Sequence, residues 1–196
     1  NYNITYANGS LSITQANLTI TANSTSTQYG LGTTLGTTAF TSSGLANNET
    51  IGGVTLASTG SANTSSVGAY NITATSATGG NFSASNYNIG YVNGSLSVTA
   101  APITLTADNL SRAYGAANPT TDTVTVTSGS LYNGATLGNA TVSSTATATT
   151  AAGQTANLTA SAVAFTNGTA GNYNITYANG SLSITQANLT ITANST

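Results

Sequence analysis

The sequence predicts an all-β chain, a tandem array of small antiparallel β-sandwich domains with no significant helix. Three observations carry this. Apolar and polar residues alternate with period two along short segments, which is the pattern of half-buried strands. Asn-Gly pairs stand between such segments, a strong hairpin signal because both turn positions favour positive φ. No stretch sustains the 3.6-residue period of an amphipathic helix.

Tyr2, Ile4 and Tyr6 alternate with Asn3 and Thr5. Leu11 and Ile13 alternate with Ser10, Ser12 and Thr14. Asn8-Gly9 lies between these runs and predicts a hairpin, as do Asn93-Gly94 and Asn179-Gly180. Leu18 and Ile20 alternate with Thr19 and Thr21 in the next strand. Thr125, Thr127, Thr145, Thr147 and Thr149 add β-branched residues that favour strands. Leu56, Tyr70, Ile72, Val124, Val126, Val142, Leu158, Val163 and Phe165 join the alternating positions as candidate core. Hairpin tyrosines bury their rings and send their hydroxyls to the rim. An immunoglobulin-like sandwich is the first expectation for each domain and a β-grasp-like arrangement the second.

The chain repeats itself. Residues 1–25, NYNITYANGSLSITQANLTITANST, recur letter for letter as residues 172–196. A diverged copy, NYNIGYVNGSLSVTAAPITLTADN, fills 86–109. One unit is therefore about 85 residues, and a period of 171 holds two different units; such long periods indicate arrays of small domains. The expected division is a last hairpin of a preceding repeat at 1–15, one β domain at 16–100, a second at 101–186, and the first strand of a following repeat at 187–196. Gln15-Ala16-Asn17 and Ala100-Ala101-Pro102 are short joins, and Pro102 biases Ala101 to extended geometry. Joins this short predict a semi-rigid rod.

Composition excludes most chemistry. Only Glu49, Asp108, Arg112 and Asp122 are charged, and there is no Cys, His, Met, Trp or Lys. Without imidazole or thiolate, neither Ser-His-Asp triads, Cys nucleophiles nor His/Cys metal sites can be built. A single Arg is no phosphate-binding surface, so nucleic acid is not expected as a partner. No apolar run is long enough to span a membrane. No cofactor, metal site or catalytic residue is expected, and the chain reads as no enzyme. The three carboxylates are too few for a calcium site, and Asp108 with Arg112 reads as a surface pair. Gly52-Gly53 and Gly79-Gly80 are turns rather than phosphate loops.

Tyr-Gly, then Gly-Leu-x-Asn, then Val-Gly-x-Tyr, then Asn-Tyr-x-Ile-x-Tyr-x-Asn-Gly-Ser-Leu-x-Val-Thr forms a long ordered pattern. It is carried by Tyr114-Gly115, Asn86-Tyr87-Asn88-Ile89, Tyr91-Val92-Asn93-Gly94 and Thr104-Leu105-Thr106-Ala107-Asp108-Asn109. In this the chain resembles the MBG/YDG repeats of large secreted, haemagglutinin-like bacterial surface proteins and adhesins. The resemblance covers nearly the whole chain and implies an extracellular, mostly-β repeat used as a stalk or adhesive array, with no catalytic residues. Where those repeats commonly carry Asn-Gly-Asp-Thr, this chain has Asn48-Glu49-Thr50 and Asn133-Gly134-Ala135-Thr136.

Ser and Thr number 24 and 41, beside 24 Asn and 21 Gly. Asn-x-Ser/Thr sequons occur 17 times, more than random placement in such a composition gives. Polar strand faces and turns explain part of the excess; N-glycosylation of a surface protein explains the rest. Asn8, Asn48, Asn63, Asn81, Asn93, Asn167 and Asn179 are the candidate acceptors, in turns and loops. Glycan would also keep a nearly uncharged array with unguarded strand edges in solution. The Thr123–Thr127 and Thr145–Thr149 ladders read as outer strand faces, with ordered water as on an ice-binding sheet the sharper alternative.

The expected function is structural: the stalk of an extracellular bacterial filament or adhesin, with other copies of the repeat, in the same chain or in neighbouring protomers, as partners. The alternative is an adhesive module that binds a glycan or a protein, with exposed Tyr29 or Tyr114 as its test residues. Functional amyloid is disfavoured by the frequent turns.

Overall fold

A strand forms where an alternating segment finds a partner, and the two identical ends of this chain show the dependence directly. The computed structural model describes residues 1–194. Residues 173–185 lie in two strands, yet residues 2–14, the same letters, lie in none. Tyr2 is 96% exposed where Tyr173 is 6%, and Leu11 is 89% exposed where Leu182 is 0%. Residues 16–22 form a strand, whereas 187–193 do not. The expected terminal hairpin and strand are thus absent from the described residues, because nothing there pairs with them. Burying a Leu or Ile contributes about 1.5–3 kcal/mol, and exposed alternation contributes none of it.

The first repeat has seven strands: β1 (Ala16–Ala22), β2 (Thr25–Gln28), β3 (Phe40–Ser43), β4 (Gly53–Ala57), β5 (Gly68–Thr78), β6 (Tyr87–Val92) and β7 (Gly94–Thr99). They form two sheets, ordered β3-β1-β6 and β2-β7-β5-β4. The second repeat has ten: β8 (Ala101–Ala107), β9 (Leu110–Ala113), β10 (Thr121–Asp122), β11 (Val124–Ser128), β12 (Thr136–Leu137), β13 (Ala140–Ser144), β14 (Thr155–Ser161), β15 (Phe165–Asn167), β16 (Tyr173–Ala178) and β17 (Gly180–Thr185). Its sheets are ordered β11-β8-β16 and β10-β13-β14-β17-β9, with a β12-β15 pair beside them. The fold is all-β and, among the described residues, helical only in three short 3₁₀ turns.

The Asn-Gly pairs are not hairpins. β6 and β7 are separated by Asn93 alone, but β6 pairs in parallel with β1 while β7 lies between β2 and β5. Likewise β16 pairs in parallel with β8, and β17 with β9. Each consecutive strand pair changes sheet at one corner, side by side with another pair doing the same; such corners join sheets that pack across one another. None of Asn93, Gly94, Asn179 or Gly180 has positive φ. The glycine is needed for closeness instead. A Cβ on Gly94 would sit 2.6 Å from the Ala22 carbonyl oxygen and 2.9 Å from that of Asn23, and one on Gly180 would overlap the Ala107 carbonyl. Side chains staple both corners: the Ser95 amide donates to Ser24 Oγ (3.0 Å), and the Ser181 amide to Asn109 Oδ1 (2.9 Å).

The chain divides into two compact units. The first comprises residues 1–26, 33–61 and 69–97, around a core of Leu18, Ile20, Val54, Ile72, Tyr87 and Leu96. The second comprises residues 27–32, 62–68 and Val98 onward. Ile103, Leu105, Val142, Leu158, Tyr173, Leu182 and Ile184 are buried in it. Of the further core candidates, Ile72, Val142, Leu158 and Val163 are buried, while Leu56, Tyr70, Val124, Val126 and Phe165 are half-buried. Thr145–Thr149 is not a strand but a bend and turn, closed by the Thr147 amide donating to Thr150 Oγ1 (2.9 Å).

Candidate functional site

Four charged side chains, Glu49, Asp108, Arg112 and Asp122, are the first places to look for chemistry. Asp108 accepts from Thr123 Oγ1 (2.7 Å) and Thr125 Oγ1 (2.8 Å), so the carboxylate ties β11 to the end of β8. Glu49 accepts from the Tyr87 hydroxyl at 2.8 Å. Asp122 pairs through its backbone with Ala140. Among the described residues no three acidic, His or Cys side chains gather as for a metal ion.

The expected Asp108–Arg112 surface pair does not form. Arg112 is 7% exposed and donates to uncharged oxygens: Nε to Asn118 Oδ1 (2.7 Å), one amino nitrogen to the Ala113 carbonyl (3.1 Å), the other to the Thr147 carbonyl (2.6 Å). Asn118 in turn donates to the carbonyls of Ser144 and Ala146. The one Arg in the chain thus fastens the loop after β9 to the loop after β13.

Of the motif tyrosines, Tyr87 and Tyr173 bury their rings while Tyr91 is 37% exposed, and the four hydroxyls, rather than reaching the rim, each accept from a backbone amide. Tyr87 Oη accepts from the Ala46 amide, and Tyr173 Oη from the Tyr132 amide, both at 2.9 Å. Tyr91 Oη accepts from the Ala77 amide (3.0 Å), and Tyr177 Oη from the Val163 amide (2.9 Å). The second pair serves a strained spot. Ser76 and Ala162, immediately before those amides, have φ of +53° and +47°, a left-handed conformation that throws the next amide out of the ladder. A tyrosine hydroxyl from a strand of the other sheet, β6 in the first repeat and β16 in the second, satisfies it, as a buried donor requires. At Tyr87 the Ala46 amide favours the phenolate, but burial and the Glu49 carboxylate outweigh it, so its pKa lies above the usual 10.0. Burial, against the opposing Tyr132 bond, raises Tyr173 as well.

The two test residues of the binding alternative have opposite settings. Tyr29 is not exposed. It is buried in the second unit, edge-on to Tyr132 (centroids 6.3 Å apart) and Tyr173 (5.5 Å). Gly30, at φ +89°, lies against the Tyr132 ring, which a Cβ there would overlap. In the same unit Asn133 Nδ2 donates to the Asn63 carbonyl (3.0 Å), and the Val67 amide donates to Asn172 Oδ1 (3.0 Å). Tyr114 is 47% exposed; a Cβ added to its neighbour Gly115 (φ +80°) would meet nothing within 4 Å, and the Gly115 amide donates to the Ala148 carbonyl (3.2 Å).

All seven candidate glycosylation asparagines are exposed: Asn8, Asn48, Asn63, Asn81, Asn93, Asn167 and Asn179. Asn167 Nδ2 donates to the Gly134 carbonyl (2.7 Å), and Asn81 Oδ1 accepts from the Thr50 amide and hydroxyl (2.6 and 3.0 Å). The Thr ladder of β11 is no regular water-ordering array. Thr123 and Thr125 are engaged by Asp108, and Thr127 shares a hydrogen bond with Thr106 (2.8 Å).

Fold and side chains together define a tandem all-β repeat module, whose polar residues serve corners, turns and loop ties. Two segments, residues 18–97 and 103–183, match the MBG domain of YGX type, and the chain belongs to that family as a tandem pair. Such repeats are typical of surface proteins. No curated protein and no solved structure matches the chain. The Tyr-Gly of the family description is present twice, at Tyr29-Gly30 and Tyr114-Gly115.

Proposed function

We propose that this chain is a structural segment of an extracellular bacterial surface filament or adhesin stalk, a semi-rigid array of β domains without catalysis. The observation that carries the reading is the tandem MBG match over most of a chain in which Glu49, Asp108 and Arg112 are engaged in internal ties. A stalk segment under tension outside the cell has to resist unfolding and proteolysis without disulfides, and this chain has no Cys. It meets the need with long-range pairing of first and last strands in each repeat. With one Arg and no Lys it offers trypsin almost nothing to cut. Glycans on the exposed sequons belong to the same proposal, as the means by which a chain with so little charge stays dispersed. An antibody against this segment should label intact cells; labelling only after permeabilisation would refute the extracellular placement. The intact mass of the native protein tests the glycans separately: a mass equal to the bare chain refutes them.

A further inference from the structure

The Tyr-Gly turns and the surfaces that receive them occur in this chain once joined and once apart. The joined set is inside the second unit. There the 27–32 turn places Tyr29 against Tyr132 and Tyr173, with Gly30 on the Tyr132 ring. Asn133 and Asn172 add hydrogen bonds to residues 63 and 67. All four receiving residues belong to the second repeat by sequence, whereas the turn belongs to the first.

The receiving surface has a counterpart in the first repeat. Ala46, Asn47, Asn86 and Tyr87 stand where Tyr132, Asn133, Asn172 and Tyr173 stand in the second. The match is geometric as well as sequential. The Ala46 amide donates to Tyr87 Oη as the Tyr132 amide does to Tyr173 Oη, each at 2.9 Å. Asn47 and Asn133 share a left-handed φ, +53° and +54°. On the first repeat this surface borders a groove, lined also by Ile13, Thr14, Gln15, Ala16, Glu49 and Ser85. Asn86 is exposed there, while Asn172, its counterpart, is 6% exposed.

The turn has a counterpart in the second repeat. The Tyr114 amide donates to the Thr185 carbonyl as the Tyr29 amide does to the Thr99 carbonyl, each at 2.9 Å. The backbone of the turn is therefore held the same way at both places. The cover differs: Tyr29 is 6% exposed and Tyr114 47%, and the Gly115 amide donates to the Ala148 carbonyl (3.2 Å). A tyrosine ring half in water, beside a left-handed glycine where an added Cβ would meet nothing within 4 Å, is the same plug without its socket.

We propose that the Tyr114-Gly115 turn docks on the Ala46–Glu49 and Asn86–Tyr87 surface of a second copy of this chain, in the manner of the Tyr29-Gly30 turn on Tyr132 and Tyr173. The contact is heterologous, plug to socket, and so propagates rather than closes. Ala46 in place of Tyr132 widens the receiving surface. The Glu49 carboxylate supplies a hydrogen-bond acceptor within it, where Ala135 stands in the second repeat. This inference rests on the array reading above and adds which surfaces join.

The test uses the full chain, which has no cysteine of its own. The Gly30–Tyr132 approach in the second unit marks Gly115 and Ala46 as the positions that meet. Equal amounts of the Ala46→Cys and Gly115→Cys chains are mixed and oxidised with oxidised glutathione, and the dimers are sorted by intact mass. Random collision yields half heterodimer. Docking predicts a heterodimer share well above half, falling back to half when Tyr114→Ser is added to the Gly115→Cys chain. Ala116→Cys, exposed and next in sequence, replaces Gly115→Cys if the latter chain misfolds by circular dichroism. A random share in the first mixture overturns the proposal, as does an excess that survives Tyr114→Ser. Either failure would leave surface labelling of intact cells unaffected, so the stalk reading is judged independently.

Discussion

Three Asn-Gly-Ser triplets of identical sequence, at Asn8, Asn93 and Asn179, separate two explanations of why glycine is there. If glycine supplied a positive φ, Gly9→Ala, Gly94→Ala and Gly180→Ala would each carry a similar conformational cost. The structure gives a different answer. None of the three has positive φ, so alanine is allowed by the backbone everywhere. At Gly9 nothing lies within 4 Å of a new Cβ. At Gly94 the Cβ would stand 2.6, 2.9 and 3.0 Å from backbone atoms of Ala22 and Asn23, where ordinary contact begins at 3.4 Å. At Gly180 the carbonyls of Ala107 and Asp108 are at least as close. The corner must open by several tenths of an ångström, and both partners are strands in sheets rather than flexible side-chain ends. Overpacking of this kind costs about 1–3 kcal/mol. For a domain of this size each kcal/mol lowers Tm by about 4–8 °C, so Gly94→Ala and Gly180→Ala should each lower the melting of their own repeat by roughly 5–20 °C. Gly9→Ala should move neither transition by more than about 0.5 kcal/mol. Calorimetry on the three single variants reads this directly. Equal losses in all three, or none at Gly94 and Gly180, would refute the corner explanation.

The tyrosines and the arginine give three further expectations. Tyr177→Phe strands the Val163 amide behind Ala162 and should cost about 1–3 kcal/mol by chemical denaturation, while Tyr6→Phe, the same residue in the exposed copy, should cost nothing measurable. Tyr87 and Tyr173 have folded pKa values above the unfolded value near 10; their neutral forms therefore stabilise the fold fully below pH 10, and that contribution is lost as pH rises through the higher folded values. Absorbance titration at alkaline pH should show part of the tyrosine signal, from Tyr87 and Tyr173, ionising above the usual value of 10.0 together with loss of near-ultraviolet dichroism; titration of Tyr87→Phe and Tyr173→Phe chains unchanged in that late part would contradict it. Arg112→Met removes donors from Asn118, Ala113 and Thr147 and should destabilise the second repeat by about 2 kcal/mol without altering the first, measured as a shift of one calorimetric transition only.

The alternation of Leu18 and Ile20 with Thr19 and Thr21 was readable from the letters, and both side chains are buried, whereas Tyr2, Ile4, Tyr6, Leu11 and Ile13 alternate as well and are exposed. That Tyr87 and Tyr173 bury their rings was readable too, but not that the hydroxyls accept from backbone amides of other segments. The pairing partners were not readable. Asn-Gly signals a tight reversal in most settings, and nothing local distinguishes that from a strand changing sheets; the difference lies in a close backbone approach by Ala22 and Asn23 at one corner and by Ala107 and Asp108 at the other, all far away in sequence. Arg112 was misread for a related reason. A single charge four residues from a carboxylate suggests a surface pair, whereas its true partners are two carbonyls and a side-chain amide, one of them, Thr147, 35 residues away in sequence. In residues 1–15 the same letters that build β16 and β17 build no strand, so pairing rather than local pattern decides.

Single-molecule stretching of the chain between its ends tests the central claim, that these are separately folded β repeats in series that bear load. Extended chain spans at most about 3.3–3.6 Å per residue, so release of one repeat of about 85 residues should lengthen the tether by about 25 nm. Two force peaks of that spacing are expected from this chain. A single rupture releasing the whole length at once, or smooth extension with no peaks, would contradict the claim.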